Sequence, residues 1–521
     1  MKKNLQMSFK IKQWKLWLVV SILVLMAVLS GCGEEKEEKP EEDMYKTLEE
    51  VDYEFLVFFE PSAQMLLQSF TENHPEIDIV SRRIGSTHFD VDLNSGLDLE
   101  VMIKQYGHPD LILAGTAERN GNFMCKGDWE RGYEIIDVYD LPGCYEKGHI
   151  ADLGVYCAND TTLDTNAYFP GTFDVFYDKD LLYALPLSVT MDFMMTTDTK
   201  YNESAFSKLQ EGYTGKELLE VMQMELEKER DLDEFFCPER ISPIKLLYQL
   251  GGVTQTKTGI QVDEEIFKQV YEFTYMNNKQ VSEKKDRWNE NGRIFTSENG
   301  FVEFTAFEPR AYEGKFDVSF WASMDAPAVA LTYATTANEY HVEDGTKAIY
   351  IPNYDNGSSY TASVGIYGAV GAESGEPELA YKLLRMLMDE EITYFDIPDD
   401  KMGNLALTAE FRQSFNYCPV NKEQALNLFE NFENKNALML YGHLGNGRYF
   451  QILDVVKVGE EEKEKHAKML DGITGMTCLN YDMMEAALAI DEYQYMDVKD
   501  YKGCYEAVVK ALNEAFNEKN G

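Results

Sequence analysis

The chain has 521 residues, 44% of them hydrophobic, which is too long for one compact core and too apolar for a disordered polymer. Its 91 acidic side chains against 48 basic ones give a formal charge of −43. A surface that acidic repels nucleic acid and anionic lipid headgroups, so neither is expected as a partner.

The first 31 residues read as a leader. Lys2, Lys3, Lys10, Lys12 and Lys15 make a basic start with no acidic residue. Leu16 to Leu29 is then an uncharged, almost wholly apolar run of 14 residues. A membrane-spanning helix needs about 20 such residues, so the run suits a signal-peptide core instead. It ends at Leu29-Ser30-Gly31-Cys32, which resembles the lipobox of bacterial lipoproteins, where the Cys thiol accepts a diacylglycerol. Gly33 to Asp43 has no apolar residue except Pro40 and is expected to stay extended and solvated. Residues 32–49 are therefore expected as a lipidated Cys and an acidic tether. Loss of the five leader lysines takes the charge from −43 to −48 and leaves 490 residues, enough for two or three domains. A body so acidic needs the acyl chains to stay at the membrane.

Beyond the tether, Tyr53 to Phe59 is an apolar run typical of a buried strand. A helix opens at Pro61 and Ser62, with Ser62 as its N-cap, and runs to about Asn73 before Pro75 breaks it. Ile77 to Ile84 reads as a strand. Leu99, Met102, Ile103 and Tyr106 recur at helical spacing. Gly107-His108-Pro109 ends that helix, and Asp110 to Leu113 is a short strand, with Asp110 expected to pin the turn. Strand, helix, strand, helix, strand implies a parallel sheet with right-handed crossovers. Helices are expected over Thr214–Glu229, Glu264–Met276, Pro377–Asp389 and Gly503–Glu518. Strands are expected over Gly300–Thr305, Ala348–Ile351 and Ser363–Val370. The whole is α/β, with more helix than strand and no internal repeat.

Seven cysteines follow Cys32, an odd number, with no C-x-x-C arrangement and no His at metal-ligand spacing. Buried thiols are the expectation, with no metal and no cofactor. No H-E-x-x-H, G-x-S-x-G or phosphate-loop motif occurs. Ser282 to Lys285 fits S-x-x-K but lacks its companion motifs, and Gly442 to Gly447 lacks the strand that precedes a dinucleotide loop. An enzyme is not expected, although 91 acidic residues leave open a carboxylate pair for glycoside hydrolysis.

Several strings, taken in order, resemble one family. They are Phe70 to Ile79, Gly107 to Ile112, Ile150 to Leu153 with Asp164 and Phe169-Pro170-Gly171, Leu182 to Leu187, Ala362 to Glu373 with the helix after Pro377, and Phe415 to Val420. This set, behind a lipobox, resembles the extracellular solute-binding proteins of family 1. These are the substrate-binding lipoproteins of carbohydrate ABC importers, of which the maltose-binding type is the best known. Residues 118–147 look like an insertion, Asp180 stands where members commonly carry Gly, and 430–521 match no part of the pattern.

The resemblance implies a two-lobe, periplasmic-binding-protein-like (type II) fold with a ligand cleft between lobes and a hinge of two to three crossing segments. One lobe is expected from 50–188 plus 353–390, the other from 190–350 plus 391–521. The hinge is expected at Pro186, Leu187 and Ser188, and again at Ile351 and Pro352. Ligand contacts are expected at the carboxyl ends of strands: Glu60 and Ser62, Gly115 and Thr116, Glu308, Arg310 and Tyr312, and Gly365 and Tyr367, with Trp321 and Tyr417 as further aromatics. Carboxylates accept bonds from sugar hydroxyls and aromatic rings pack on pyranose faces, so this mixture suits a neutral oligosaccharide, while Arg310 suits an anionic group. The implied function is capture of an extracellular solute by a monomer anchored outside the cytoplasmic membrane, and delivery to ABC permease subunits. A surface glycoside hydrolase and a ligand-sensing accessory protein are the alternatives.

Overall fold

The computed structural model describes residues 48, 51–60, 63–84, 99–115, 141–178, 180–230, 236–237, 241–256, 259–290, 319–323, 346–390, 418–427, 439–440, 452–453, 460–478, 481–496 and 501–520. Strand β1 (Phe55–Phe59), helix α1 (Gln64–Asn73), strand β2 (Ile79–Arg83), helix α2 (Leu99–Tyr106) and strand β3 (Leu111–Gly115) follow in the predicted order. β1 pairs in parallel with β2, Phe55 opposite Ile79, and with β3, Val57 opposite Leu111. β3 is buried throughout, and Phe55, Val57 and Phe58 of β1 are buried too. Strands covered on both faces read as continuous apolar runs, which is why these were visible in the sequence. α1 begins after Ala63 with no side-chain cap, and Ser62 lies outside the described residues.

Apart from three short two-stranded ribbons at 177–182, 253–262 and 439–453, the later described strands divide between two sheets. β4 (Leu185–Pro186) and β5 (Ser188–Thr197) are separated only by Leu187. They are followed by β6 (Ser319–Ser323), β7 (Thr346–Tyr350), β8 (Tyr360–Val364), β9 (Ile366–Val370), β10 (Cys418–Pro419) and β11 (Ile473–Thr477). The first sheet has the order β2-β1-β3-β9-β4, with β9 antiparallel to both neighbours. The second is built on β5. β6 and β7 pair antiparallel with its later residues, β8 and β10 with its first ones, and β11 lies parallel to β8.

Two expectations are corrected here. Ser363 to Val370, predicted as one strand, is the end of β8 and all of β9, in different sheets. Ile351 and Pro352 were expected to cross between lobes. They instead leave β7 for a turn in which Asn353 donates to Ser359 O and Ser359 to Asn356 O, and the chain re-enters the same sheet as β8. Ile351 is buried in the core beneath that sheet. Residues 353–364 therefore continue the second sheet, and the passage to the first falls at Gly365. The predicted strand at 300–305 and the segment 118–140 lie outside the described residues.

Helices α3 (Gly215–Leu226), α4 (Pro243–Gln249) and α5 (Glu264–Glu290) pack beneath the second sheet around Leu218, Met222, Ile244, Leu247, Phe267 and Phe273. Thr214 and Glu217 close a reciprocal capping box at the start of α3. Helix α6 (Pro377–Met388) lies on the first sheet. A Cβ on Gly368 of β9 would fall 2.4 Å from Leu384 Cδ1, so a larger residue there would push the buried Leu384 side chain of α6 aside. Helix α7 (Glu460–Asp471) lies against β7, where the His466 ring is 6.4 Å from that of Tyr350. Helices α8 (Tyr481–Tyr495) and α9 (Tyr501–Asn520) complete the second core with Ala486, Ile490, Cys504, Val508 and Leu512. The tail left unplaced by resemblance is thus structural. Asn513 also brackets Ile260, accepting from its amide and donating to its carbonyl at 3.0 Å each. Among the described residues no helix is long and apolar enough to cross a membrane. The six described cysteines, Cys144, Cys157, Cys237, Cys418, Cys478 and Cys504, are thiols.

Candidate functional site: the strand ends around three crossings

Ligands of open α/β sheets bind beyond the carboxyl ends of the strands. Here those ends converge where the two sheets meet. The described chain passes between the sheets in three neighbouring places. Leu187 joins β4 to β5, Gly365 joins β8 to β9, and β10 leads through Val420 to Asn421, which bonds Asp389 at the end of the helix that lies on the first sheet. The amide of Val420 donates to Leu187 O at 3.2 Å, and its carbonyl accepts from Phe169 N at 3.2 Å. Leu187, Ser188, Val364, Ile366 and Val420 are all buried.

Ser188 stands at the centre of the bundle. Its carbonyl accepts from Gly365 N at 2.9 Å, and its Oγ accepts from Ile366 N at 2.8 Å. Leu187 N donates in turn to Ile366 O at 2.7 Å. The first and second crossings are thereby tied by three hydrogen bonds, one of them accepted by a side chain.

The first sheet brings Glu60, Gly115, Gly365 and Tyr367 to one end. Glu60 follows β1, and its amide donates to Leu113 O at 2.9 Å. Its Oε2 accepts from Gly115 N at 2.9 Å, and the residue is 1% exposed. This carboxylate therefore welds the ends of β1 and β3. Gly115 lies opposite Ile366 in the ladder, next to Gly365. Tyr367 points into the interior, its ring 5.0 Å from Phe176, at 3% exposure. Trp321 lies opposite Phe193 within β6 and β5, further from the crossings. Ser62, Thr116, Glu308, Arg310, Tyr312, Tyr417 and Cys32 lie outside the described residues.

The second sheet adds a row of hydroxyls that the sequence pattern does not single out. Thr190 lies opposite Ser363, and Ser363 Oγ is 3.3 Å from Thr477 Oγ1. One step further from the crossings, Ser359 Oγ and Thr474 Oγ1 are 2.5 Å apart. Hydroxyls both donate and accept, so such a row matches the chemistry of a polyol. The available signal was Ser359, Thr361 and Ser363 at the two-residue period of a strand, which packing alone also produces.

Behind the third crossing lies a buried ionic cluster. Arg385 of α6, 3% exposed, reaches Asp160 at 3.4 Å, Asp389 at 3.6 Å and the Tyr168 hydroxyl at 2.5 Å. Tyr168 donates to Asp389 Oδ1 at 2.5 Å, and Asn421 Nδ2 donates to the same oxygen at 3.0 Å. Burial works against ionisation of Asp160, but the hydroxyl and amide of Thr162, the Tyr381 hydroxyl and the Arg385 charge outweigh it and hold the carboxyl below its usual range. Burial pushes the Tyr168 and Tyr381 hydroxyls well above theirs, so both remain donors. Asp110 performs a similar structural task, accepting from Leu56 N at 2.8 Å, Tyr53 Oη at 2.9 Å and Ser374 Oγ at 2.5 Å.

No protein-family model and no curated protein sequence matches this chain. Solved structures do share its architecture. The sugar-binding protein MalE from Xanthomonas citri matches with a TM-score of 0.53 at 12% identity, covering 90% of this chain and 98% of its own. An ABC substrate-binding protein from Listeria monocytogenes, solved in complex with cycloalternan, matches at 0.50 and 11%, covering 89% and 99%. The galacto-N-biose-/lacto-N-biose I-binding protein of an ABC transporter from Bifidobacterium longum, with lacto-N-biose bound, matches at 0.50 and 11%, covering 90% and 98%. Two mixed sheets, threaded by adjacent crossings and matched along nearly the full length of these proteins, give this chain the α/β fold of the periplasmic-binding-protein-like sugar-binding proteins.

Proposed function

We propose that this chain is the solute-capturing lipoprotein of an ABC importer and that it takes up an oligosaccharide. The single observation that carries the reading is the meeting of two sheets at three adjacent crossings among the described residues, in a chain whose fold matches sugar-binding proteins over about nine-tenths of its length. On this reading each sheet is the core of one lobe, and the lobes close over the ligand by bending at the crossings. On this reading the boundary drawn from sequence at 352 moves to Gly365, Val420 adds a crossing, and the boundary at 390 opens onto residues outside the described ones.

The hydroxyl row of Thr190, Ser363 and Thr477 and the strand ends at Gly115 and Gly365 then form the cleft floor. Glu308, Arg310, Tyr312, Trp321 and Tyr417 are proposed as walls, together with Ser62 and Thr116. Glu60 and Tyr367 act beneath this surface, as supports for the strand ends. Binding is the work of such a floor, and no nucleophile or metal enters the proposal. Cys32 carries the lipid, residues 33–43 are the tether, and the permease is the partner that receives the sugar.

Calorimetry and melting of the purified protein against a panel of malto-, manno- and galacto-oligosaccharides test the capture step. At least one sugar is expected to raise the melting temperature and to contract the particle in small-angle scattering. A panel without effect on either would remove oligosaccharide capture. The anchor has its own test: Cys32→Ala is expected to bind sugar unchanged and to leave the membrane fraction. Its retention there would show that another element holds the protein.

A further inference from the structure

We propose that the Ser188 hydroxyl is the pin of the hinge: it locks the first two crossings together and requires glycine at 365. The inference rests on the two-lobe reading above. Three observations carry it. Ser188 Oγ takes the amide of Ile366, the first residue of β9, at 2.8 Å, in a place where the backbone ladder passes from one sheet to the other. A Cβ built on Gly365 would lie 2.6 Å from that same Oγ, yet 3.7 Å from Ser188 Cβ and 3.8 Å from Ser188 O. The hydroxyl is therefore the one atom that a side chain at 365 meets too closely, and it can move aside only by giving up the Ile366 amide. Finally, Ser188 is 1% exposed, so bulk water does not compete for the Ile366 amide.

The consequence is mechanical. With Ile366 N, Gly365 N and Leu187 N all engaged across one pair of residues, the two crossings turn as one unit. Bending is taken up on either side of the pair. The third crossing meets this pair through one backbone bond, Val420 N on Leu187 O at 3.2 Å, and is anchored on its other side through Asn421 on Asp389 and so on the Arg385 cluster behind it. Removing the hydroxyl frees the first pair to shear and leaves a buried amide unsatisfied. A methyl at 365 wedges the same pair apart.

Both perturbations alter how the lobes sit relative to each other, and they compensate. In a Ser188→Ala background the oxygen is gone, and a methyl at 365 meets only ordinary van der Waals distances. The pair is thus expected to show sign epistasis.

The test compares the full-length protein with Ser188→Ala, Gly365→Ala and the double variant. Spin labels are attached through keto amino acids at positions 104 and 510, whose lysines are 74% and 72% exposed on the two halves. Ser188→Ala is expected to speed amide exchange of Ile366 by about tenfold or more and to broaden the distance distribution between labels. Gly365→Ala is expected to displace that distribution, and the double variant to lie closer to wild type than Gly365→Ala does. If Gly365→Ala does not fold, recovery of folding in the double variant carries the same information. Distributions identical in wild type and Ser188→Ala, despite faster Ile366 exchange, would reduce Ser188 to a local bond and overturn the pin. A double variant no better than Gly365→Ala would overturn the steric half. Neither result depends on sugar, so a wild type that fails to contract with any oligosaccharide counts against capture and not against the pin.

Discussion

Asp110 gathers three donors from two distant parts of the chain through one carboxylate: Tyr53 and Leu56 at the start of β1, and Ser374 after β9. The sequence placed it after a Gly-His-Pro turn and predicted a pinning role, because a short acidic side chain beside a helix stop commonly caps backbone. Asp110→Ala leaves those donors without an acceptor at a site that is 4% exposed. It is expected to lower unfolding stability by about 3 kcal/mol, read from urea denaturation; a loss below about 0.5 kcal/mol would contradict the pinning role. Other residue roles were less legible. Glu60 was placed correctly at a strand end, but nothing in the sequence says that a backbone amide occupies its carboxylate. Tyr367 was chosen because aromatics line sugar sites, whereas alternation along β9 turns its ring toward Phe176. Asp180, noted for standing where relatives carry Gly, has a φ of +71°, so it adopts the left-handed backbone that glycine would supply without strain.

At the scale of elements, periodicity succeeded where one face is apolar and failed where it is not. α5 was expected to stop at Met276 but continues to Glu290, because Lys, Glu and Arg sustain a helix after its apolar face has ended. β8 and β9 merged into one predicted strand because no turn residue marks a passage between sheets; the only sign was Gly365. α7 carries a testable electrostatic consequence. Its sequence is mostly charged, yet His466 is buried beside Tyr350 with Met469 and Leu470. Burial lowers the pKa of the ring from 6.5 to about 3. Between those values the unfolded chain binds the proton and the folded chain does not, so stability rises with pH up to about 6.5. At pH 5 this group is expected to cost about 2 kcal/mol relative to pH 7.5. His466→Phe should remove that part of the acid sensitivity in denaturation at the two pH values; an unchanged difference would assign the sensitivity elsewhere.

For the molecule as a whole, the α/β class and the first parallel strands were readable, since each depends on local pattern. The assembly of the second sheet was not, because its strands come from segments up to 285 residues apart, as Ser188 and Ile473 begin two of them. The tail beyond 430 fell outside the resemblance, but α8 and α9 supply a side of the second core. Leu512, fully buried in α9, sets the scale. Leu512→Ala is expected to cost about 2–5 kcal/mol through the cavity it leaves, and to lower the melting temperature of the whole protein. A melt unchanged in position would mean that the tail is ornamental.

The three crossings also dictate an order of assembly. Neither sheet is a contiguous piece of the chain: the first lacks β9 until residue 370 has been made, and the second lacks β11 until residue 477. A chain emerging from its amino terminus therefore carries both sheets unfinished, with apolar strands such as β3 uncovered, for most of its synthesis. Loop closure over such separations is slow. This architecture favours a chain kept unfolded until nearly complete, and it makes the arrival of β11, α8 and α9 the step that commits the protein to its native state.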